Sequence, residues 1–173
     1  MDPVLVILSG RSGVGKSAAA RALAARTGAF WLRIDSIEDA LRSCSLKLTR
    51  IEDAGYAAAM AAARDNLSLG RIVIADMVNP WELTRDAWRG VAAEAGARAL
   101  DVEILCSDEA EHRRRVETRR AATGGGPDWH AVLARDYRPH ARPVLRIDAA
   151  ALTPHQAAAR IAAALTPPSS STP

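Results

Sequence analysis

The residues with the clearest chemical meaning lie at positions 10–17, which read Gly-Arg-Ser-Gly-Val-Gly-Lys-Ser. This stretch matches the pattern GxxxxGK(S/T), follows the apolar run at 4–8 and precedes an alanine-rich segment of helical character. Its glycines permit backbone conformations in which successive N–H groups surround phosphate oxygens at the start of a helix. We expect Lys16 to reach the β- and γ-phosphates of ATP or GTP and the Ser17 hydroxyl to ligate Mg²⁺. The predicted nucleotide-binding residues are Gly10, Arg11, Ser12, Gly13, Val14, Gly15, Lys16, Ser17 and Ala18.

Two aspartates that follow predicted strands could complete such a site. Asp35 follows residues 30–34, and Asp76 follows the four apolar residues at 72–75. Asp35 could orient and deprotonate an acceptor hydroxyl in line with the γ-phosphate, or it could cap the short helix that follows. Asp76 could act on Mg²⁺, directly or through a coordinated water, or it could accept hydrogen bonds from nearby backbone N–H groups.

Arginines cluster just before a run of glycines. The basic residues at 113–115 and 119–120 precede the glycines at 124–126, and such a segment could close over a bound nucleotide. Closure would bring positive charge onto the transferring phosphoryl group and exclude water. In the alternative interpretation, the same arginines form a solvated helix face paired with neighbouring glutamates. The arginines predicted to act in catalysis are Arg115, Arg119 and Arg120.

Side chains around the predicted third strand are candidates for binding the molecule that accepts the phosphate. Together with Asp35, the predicted substrate-binding residues are Tyr56, Asn79, Trp81 and Arg85. The alternatives are structural, since Tyr56 could belong to the core and Asn79 could cap a helix with Pro80 at its first position. The histidines show no metal-ligand spacing, and we expect all four at the surface: His112, His130, His140 and His155.

Composition limits the classes of protein that fit the sequence. The 173 residues suffice for one domain, whose core must consist of small and aliphatic side chains because only 4% of residues are aromatic. No apolar run approaches the roughly 20 residues of a membrane span, and no signal-peptide pattern is present, so we expect a cytoplasmic protein without a membrane partner. Cys44 and Cys106 predict neither a metal site nor a disulfide framework.

The elements that must position these residues alternate along the chain. The predicted strands span 4–8, 30–34, 72–75, 99–105 and 144–147, and the predicted helices span 16–27, 36–42, 49–69, 79–95, 107–120, 128–137 and 153–165. The residues predicted to start or cap helices include Thr49 with Glu52, Asn79, Ser107 and Thr153. This alternation predicts an α/β fold with a parallel sheet covered on both faces and ligands at the carboxyl ends of its strands. We expect one domain at 1–165, with a lid at about 108–137 and a disordered tail at 166–173.

With these residues in place, the chain resembles small P-loop kinases of the group that contains chloramphenicol phosphotransferase, zeta toxins and gluconate kinases. The resemblance is carried by residues 6–17, 34–40, 70–76 and 106–110, together with the arginines between 113 and 120. Over its whole length the chain is also similar to kinase-like proteins described as AAA-type ATPases. Residues 77–88 depart from chloramphenicol phosphotransferase, which places acceptor specificity in that segment.

The resemblance implies a P-loop NTPase fold of three layers, αβα, around a five-stranded parallel sheet in the order 2-3-1-4-5. It implies that Asp35 is the general base and that the three arginines contact phosphates from a helical lid. The leading hypothesis is therefore a kinase that uses ATP or GTP with Mg²⁺ to phosphorylate a hydroxyl of a metabolite or an antibiotic. An antibiotic acceptor would make it a resistance enzyme. In this hypothesis Lys16 assists catalysis, and Ser17 and Asp76 hold the metal.

Two other hypotheses stay open. The same fold could phosphorylate a nucleic-acid end, which predicts a steep salt dependence of binding. Alternatively, the chain could be a nucleotide-operated switch or ATPase without transfer chemistry, which would need a protein partner. Nucleic acid is disfavoured because no aromatic-rich basic stripe accompanies the arginines, and the switch is disfavoured by Asp35, for which it has no use. We expect a monomer or a homodimer with a small-molecule acceptor.

Overall fold

The computed structural model describes residues 2–44, 50 and 52–166. The strands within these residues are β1 Val4–Ser9, β2 Phe30–Arg33, β3 Ile72–Asp76, β4 Arg98–Leu105 and β5 Leu145–Asp148. They form one parallel sheet in the order β2-β3-β1-β4-β5, which confirms the predicted P-loop NTPase topology. The helices are α1 Lys16–Thr27, α2 Ile34–Ser43, α3 Ala54–Ser68, α4 Glu82–Glu94, α5 Glu109–Thr123, α6 Trp129–Ala134 and α7 Pro154–Ala163.

The sheet is buried between two apolar layers because the side chains of the central strand β1 alternate between its faces. Val4, Val6 and Leu8 pack with α1 and α7 on one face, while Leu5 and Ile7 pack with α3 and α4 on the other. Small side chains let the helices approach the sheet closely. The buried alanines of these four helices are Ala19, Ala20, Ala59, Ala63, Ala92, Ala157 and Ala158. None of the helices in the described ranges combines the length and apolar character that crossing a lipid bilayer requires.

The parallel register brings the ends of the central strands to one edge of the sheet. Leu8 of β1 lies beside Asp76 of β3, and Asp76 lies beside Arg33 of β2. The backbone N–H of Gly10 donates to Val78 O at 3.1 Å, which ties the segment after β1 to the segment after β3. This edge is therefore where the glycine-rich loop and the strand-end carboxylates meet, as the fold class predicts.

The predicted position of Asp35 at the end of a strand is wrong. The pairing of β2 with β3 stops at Arg33 and Asp76, and the chain turns at once into α2. Ile34 is buried as the first residue of that helix, and Asp35 lies in its first turn. The apolar run extends one residue past the strand because Ile34 also belongs to the core beneath α2.

The predicted helix start at Asn79 is also wrong. The helix α4 begins at Glu82 with Trp81 as its N-cap, and Asn79 takes a positive φ of 49° outside it. Pro80 lies outside the helix as well, and its carbonyl accepts a hydrogen bond from the Arg138 N–H at 2.9 Å. A hydrogen bond from a distant segment thus holds residues 79–80 outside the helix, although the local sequence favours a helix there.

Other helix ends agree with the sequence in part. Thr153 caps α7 with the predicted geometry, but Asp108 rather than Ser107 caps α5, since its side chain accepts from the Glu111 N–H at 3.0 Å. The Ser107 hydroxyl instead donates to Asp148 at the end of β5. The helix α6 is shorter than the predicted 128–137, and α3 begins at Ala54. Of the predicted capping box before α3, Thr49 and Ile51 lie outside the described residues.

We predict that Gly10→Ala destabilises the protein far more than the matched substitution Gly28→Ala. Both glycines have positive φ, but a Cβ at Gly10 would lie 2.1 Å from Ile104 O, whereas a Cβ at Gly28 would meet no atom within 4 Å. Urea denaturation should show a loss in the free energy of unfolding of about 3 kcal/mol or more for Gly10→Ala and about 1 kcal/mol for Gly28→Ala. Equal losses would contradict the close packing of the loop against β4.

Candidate active site

The loop between β1 and α1 encloses a buried amine. Gly10, Gly13 and Gly15 all have positive φ, and Gly15 occupies the N-cap position of α1. Lys16 is only 8% exposed, and its Nζ donates to Gly10 O at 2.9 Å and to Arg11 O at 2.9 Å. The loop therefore presents a cation and the start of a helix at one point, an arrangement that favours the binding of phosphate.

The charges beneath this loop are poorly hydrated. Burial lowers the pKa of Lys16 to about 8, although the carboxylates of Asp76 and Asp35 act in the opposite direction. Burial raises the pKa of Asp76, while the charge of Lys16 and hydrogen bonds from Ser17 and Trp31 oppose that shift. The Trp31 Nε1 lies 3.3 Å from Asp76 Oδ2. Because desolvation dominates at Lys16, an anion placed beside its amine would be strongly stabilised.

The Ser17 hydroxyl and the Asp76 carboxylate supply the oxygen ligands that suit Mg²⁺. Asp76 is 2% exposed, and Ser17 and Asp76 line the same cavity beside Lys16 at the foot of the loop. In the described ranges, no three His, Cys, Asp or Glu side chains are grouped so as to hold a metal ion. Two oxygen ligands from the protein suit Mg²⁺, because this ion usually completes its coordination with water molecules and with phosphate oxygens of the nucleotide.

Asp35 stands where three cavities meet. The first, the P-loop cavity, has a volume of about 200 Å³ and contains Lys16, Ser17 and Asp76 in its wall. The second, the lid cavity, has a volume of about 650 Å³ and lies between α2 and the segment from α5 to α6. The third, the apolar cavity, has a volume of about 500 Å³ and is walled by Tyr56 and other side chains of α3 and α4. Asp35 lines all three.

The carboxylate of Asp35 is accessible and weakly paired. Its side chain is 60% exposed, and its nearest ionic partner is Arg33 Nη2 at 3.5 Å. The alternative that Asp35 caps α2 is wrong, because Arg33 holds the N-cap position and no side chain there bonds to the backbone. The position of Asp35 between the P-loop cavity and the two larger cavities suits a base, and its catalytic role stays a prediction.

A fourth cavity lies on the other side of the P-loop. It has a volume of about 240 Å³ and is lined by Gly15, Ala18, Ala149, Leu152 and Arg115 among others. The Arg115 Nη2 donates to Ala149 O at 2.9 Å, and its Nη1 donates to Val14 O at 3.3 Å. Arg115 thus joins α5 to the loop after β5 at the edge of this cavity.

The predicted catalytic arginines separate in the structure. Arg115 and Arg119 both line the P-loop cavity, and Arg119 also lines the lid cavity. Arg120 points elsewhere, with its Nη1 3.3 Å from Asp128 Oδ2, and it lines neither of these cavities. A helix turns about 100° per residue, so neighbouring arginines cannot share one face. The structure therefore does not bring Arg120 to the phosphate site.

The predicted substrate-binding residues also separate. Tyr56 and Trp81 line the apolar cavity, and the Trp81 Nε1 donates to Asp136 Oδ2 at 3.0 Å. Asn79 is fully buried, and neither polar atom of its side chain has a partner among the described residues. Arg85 is fully buried too, and it donates to the carbonyls of Asn79, Pro80, Arg138 and Pro139. Placing Arg85 in the acceptor site was wrong, because its guanidinium holds two chain segments together.

Sequence reasoning missed two histidines that touch the phosphate-binding loop. His112 is 6% exposed, and its Nε2 lies 2.8 Å from Ser12 O. His140 Nε2 lies 2.8 Å from the hydroxyl of Ser9, the residue before the loop. The prediction that these two lie at the surface is wrong. No spacing in the sequence could have identified them, because their partners are more than 99 residues away along the chain.

A family model described as an AAA domain matches residues 5–135 of the chain. No curated protein matches the sequence. Among solved structures, a candidate kinase from Chloroflexus aurantiacus J-10-fl has a TM-score of 0.76 at 18% identity, over 95% of this chain and 96% of that one.

Two nucleotide complexes share the fold as well. The APS kinase CysC of Mycobacterium tuberculosis, solved with AMPPNP and APS, has a TM-score of 0.68 at 20% identity, over 95% of this chain and 98% of that one. Kti12 of Chaetomium thermophilum, solved with ADP-AlF3, has a TM-score of 0.69 at 18% identity, over 94% of this chain and 100% of that one. These likenesses show a fold that kinases and other nucleotide-binding proteins share.

We predict that nucleotide binding near pH 8 is accompanied by proton uptake at Lys16. In the free protein the Lys16 amine titrates at about 8, and phosphate oxygens beside it would raise that pKa, so the bound state holds more protons. Calorimetric titrations with ATP in two buffers of different ionisation enthalpy should give different heats, and affinity should fall as pH rises through about 8. Lys16→Arg, titrated to saturation, should show no such difference because a guanidinium stays charged. Equal heats for the unsubstituted protein would contradict the prediction.

Proposed function

The chain belongs to the AAA domain family, and on that premise we propose that it is a kinase that transfers the γ-phosphate of ATP to a hydroxyl of a small molecule. The observation that carries this proposal is the position of Asp35. Its carboxylate borders the P-loop cavity on one side and two cavities of acceptor size on the other. A protein that only binds or hydrolyses nucleotide has no need of a carboxylate between a phosphate site and an apolar cavity.

The proposed reaction is a single in-line displacement. The acceptor oxygen forms a bond to the γ-phosphorus while the bond to the β,γ-bridging oxygen breaks, and ADP carries away the electron pair of that bond. The hydroxyl proton passes to the Asp35 carboxylate, which is 60% exposed and whose ion-pair partner among the described residues is Arg33 at 3.5 Å. Lys16 and the loop N–H groups hold the β- and γ-phosphates, with Lys16 donating to them in place of the carbonyls of Gly10 and Arg11.

The residues around the triphosphate have separate tasks in this proposal. Ser17 and Asp76 would hold Mg²⁺, which neutralises phosphate charge when it is bound. Arg119 lies between the P-loop cavity and the lid cavity, so its guanidinium can follow the phosphoryl group during transfer. Arg115 donates to Val14 O and Ala149 O and pairs with Glu111 Oε1 at 2.7 Å, which fixes its guanidinium at the side of the loop.

The finer assignment within the P-loop kinases is also a proposal. Three of the residues that match the chloramphenicol phosphotransferase, zeta toxin and gluconate kinase group, Asp35, Asp76 and Arg119, line the P-loop cavity. The solved APS kinase complex contains a nucleotide analogue together with APS, so this fold can hold a nucleotide and an acceptor at once. We propose a metabolite or antibiotic alcohol as acceptor, and an antibiotic acceptor would make the chain a resistance kinase.

We predict that Asp35→Asn lowers acceptor phosphorylation by a factor of at least about 100 while leaving ATP affinity within about threefold. The substitution removes the proton acceptor but keeps the shape of the side chain. Transfer is measured as acceptor-dependent ADP release, and affinity is measured by titration with a non-hydrolysable ATP analogue. Asp65→Asn is the matched control, since Asp65 is exposed on α3 and lines none of the three cavities that Asp35 borders.

The outcomes separate the proposal from its rivals. Undiminished transfer in Asp35→Asn would exclude Asp35 as the base. Slow ATP hydrolysis that no alcohol accelerates, with or without Asp35, would instead indicate a nucleotide-operated switch. Acceleration by oligonucleotide ends, with binding that weakens steeply as salt is raised, would indicate a nucleic-acid end kinase.

A further inference from the structure

The apolar cavity has the size and lining of a site for a medium-sized organic molecule. Its volume of about 500 Å³ lies between α3, the segment after β3 and the start of α4. The apolar side chains and proline that line it include Tyr56, Met60, Met77, Pro80, Trp81 and Leu83. Leu83 is 79% exposed and Trp81 is 44% exposed, although both are large apolar side chains at the mouth of the cavity. A molecule bound here would cover apolar surface that now faces water.

The charged residues of this cavity are mostly acidic. Four carboxylates belong to its described lining, Asp35, Glu38, Glu52 and Asp53, against one cation, Arg135. The adjoining lid cavity is less acidic, because its described lining has four arginines, Arg33, Arg42, Arg119 and Arg135, against three carboxylates, Asp35, Glu38 and Asp39. Asp35 and Glu38 border both cavities. A cationic acceptor is therefore favoured more by the apolar cavity than by the lid cavity.

Packing against α3 fixes the position of the Glu38 side chain. Its side chain is 21% exposed and lies against Gly55 of α3, where a Cβ would come within 2.5 Å of Glu38 Cγ. Gly55 is buried inside a helix and has no positive φ, so the backbone conformation does not require glycine there. The absent side chain at Gly55 therefore serves to make room for Glu38.

One oxygen of Glu38 is available to a ligand. Its Oε2 accepts from Arg42 Nη2 at 3.1 Å, whereas no donor from the described part of the chain bonds to Oε1. Glu38 follows Asp35 by three residues on α2, so the two side chains lie on the same face of the helix, with Cβ atoms about 5–6 Å apart. A group bound to Glu38 would thus lie a few bonds from a hydroxyl bound to Asp35.

We infer that the acceptor is an amino alcohol with an apolar body, whose ammonium group binds Glu38 while its hydroxyl faces Asp35. The inference rests on the proposed kinase function and adds the class of acceptor. An ammonium group would be stabilised by a partly buried carboxylate, and the apolar body would fill the cavity. A carboxylate or phosphate at the same place would face four acidic side chains and one arginine, which disfavours anionic alcohols in this cavity.

The test uses three probes that share one aromatic carbinol body and differ in charge. On the carbinol carbon, phenylethanolamine carries a protonated aminomethyl group, methylphenylcarbinol carries a methyl group, and mandelate carries a carboxylate. Binding is followed by tryptophan fluorescence, because Trp81 lines the cavity, and phosphorylation is followed by ADP release. We expect phenylethanolamine to bind at least about tenfold more tightly than methylphenylcarbinol, with mandelate the weakest of the three.

Two substitutions assign this preference to Glu38. Glu38→Gln removes the charge, and Gly55→Ala displaces the side chain without changing any charge, while alanine favours the helix more than glycine does. Both should reduce the preference for phenylethanolamine over methylphenylcarbinol to within about threefold. Asp65→Asn, a matched loss of charge at an exposed position on α3, should retain the full preference.

The possible results distinguish the inferred specificity from the proposed function. Preferred binding of mandelate, equal binding of all three probes, or an unchanged preference in Glu38→Gln would overturn the inferred acceptor class. Faster ADP release with mandelate would overturn it as well, while supporting a kinase that takes anionic acceptors through the lid cavity. Selective binding of phenylethanolamine without phosphorylation of any probe would support the binding preference and count against the kinase.

Discussion

The burial of one amine beneath the phosphate-binding loop is the constraint on which the rest of the structure depends. Lys16 loses most of its hydration there, and two loop carbonyls only partly replace it, so the pKa of the amine falls to about 8. Two carboxylates partly offset this loss of hydration. The strand β3 places Asp76 near the amine, the helix α2 places Asp35 near it, and both charges favour the protonated form of Lys16. A phosphate anion is the ligand that relieves this desolvation most completely.

The loop can hold this arrangement only because other elements close tightly around it. A Cβ at Gly13 would lie 2.4 Å from Val116 of α5, and His112 of the same helix contacts Ser12 O. Arg11 donates to Val132 O of α6 at 2.7 Å. The helix α5, which carries Arg115 and Arg119, is thus packed directly on the loop, and α6 is hydrogen-bonded to it. A movement of α5 would be transmitted to the phosphate site through the packing contact at Gly13.

A buried guanidinium holds one wall of the apolar cavity in place. Arg85 donates to carbonyls of the segment after β3 and to those of Arg138 and Pro139, and its cation lies 5.4 Å from the ring centroid of Tyr137. This fixes the wall formed by Pro80 beside the apolar cavity. Opposite that wall, the glycine at position 55 lets Glu38 line both cavities. Packing contacts therefore shape the proposed acceptor site as much as charged side chains do.

The sequence by itself determined the features that depend on neighbouring residues. The glycine spacing of the loop, the burial of β1, the alternation of strands and helices and the cap at Thr153 are all local, and the structure agrees with them. Asp35 and Asp76 were identifiable because a carboxylate after an apolar strand reaches the ligand edge of a parallel sheet, even though Asp35 lies in the first turn of a helix.

Only the tertiary structure decided which side chains meet. The prediction that Arg85 binds the acceptor was wrong because its hydrogen-bond acceptors at Arg138 and Pro139 lie more than 50 residues away along the chain. The prediction that Arg120 reaches the phosphate site was wrong because the orientation of α5 on the loop turns Arg120 toward Asp128. His112 and Glu38 gained their positions from contacts with Ser12 and Gly55. Spacing along the chain specifies a face of a helix, but the neighbour of that face follows from how the helices pack against the sheet.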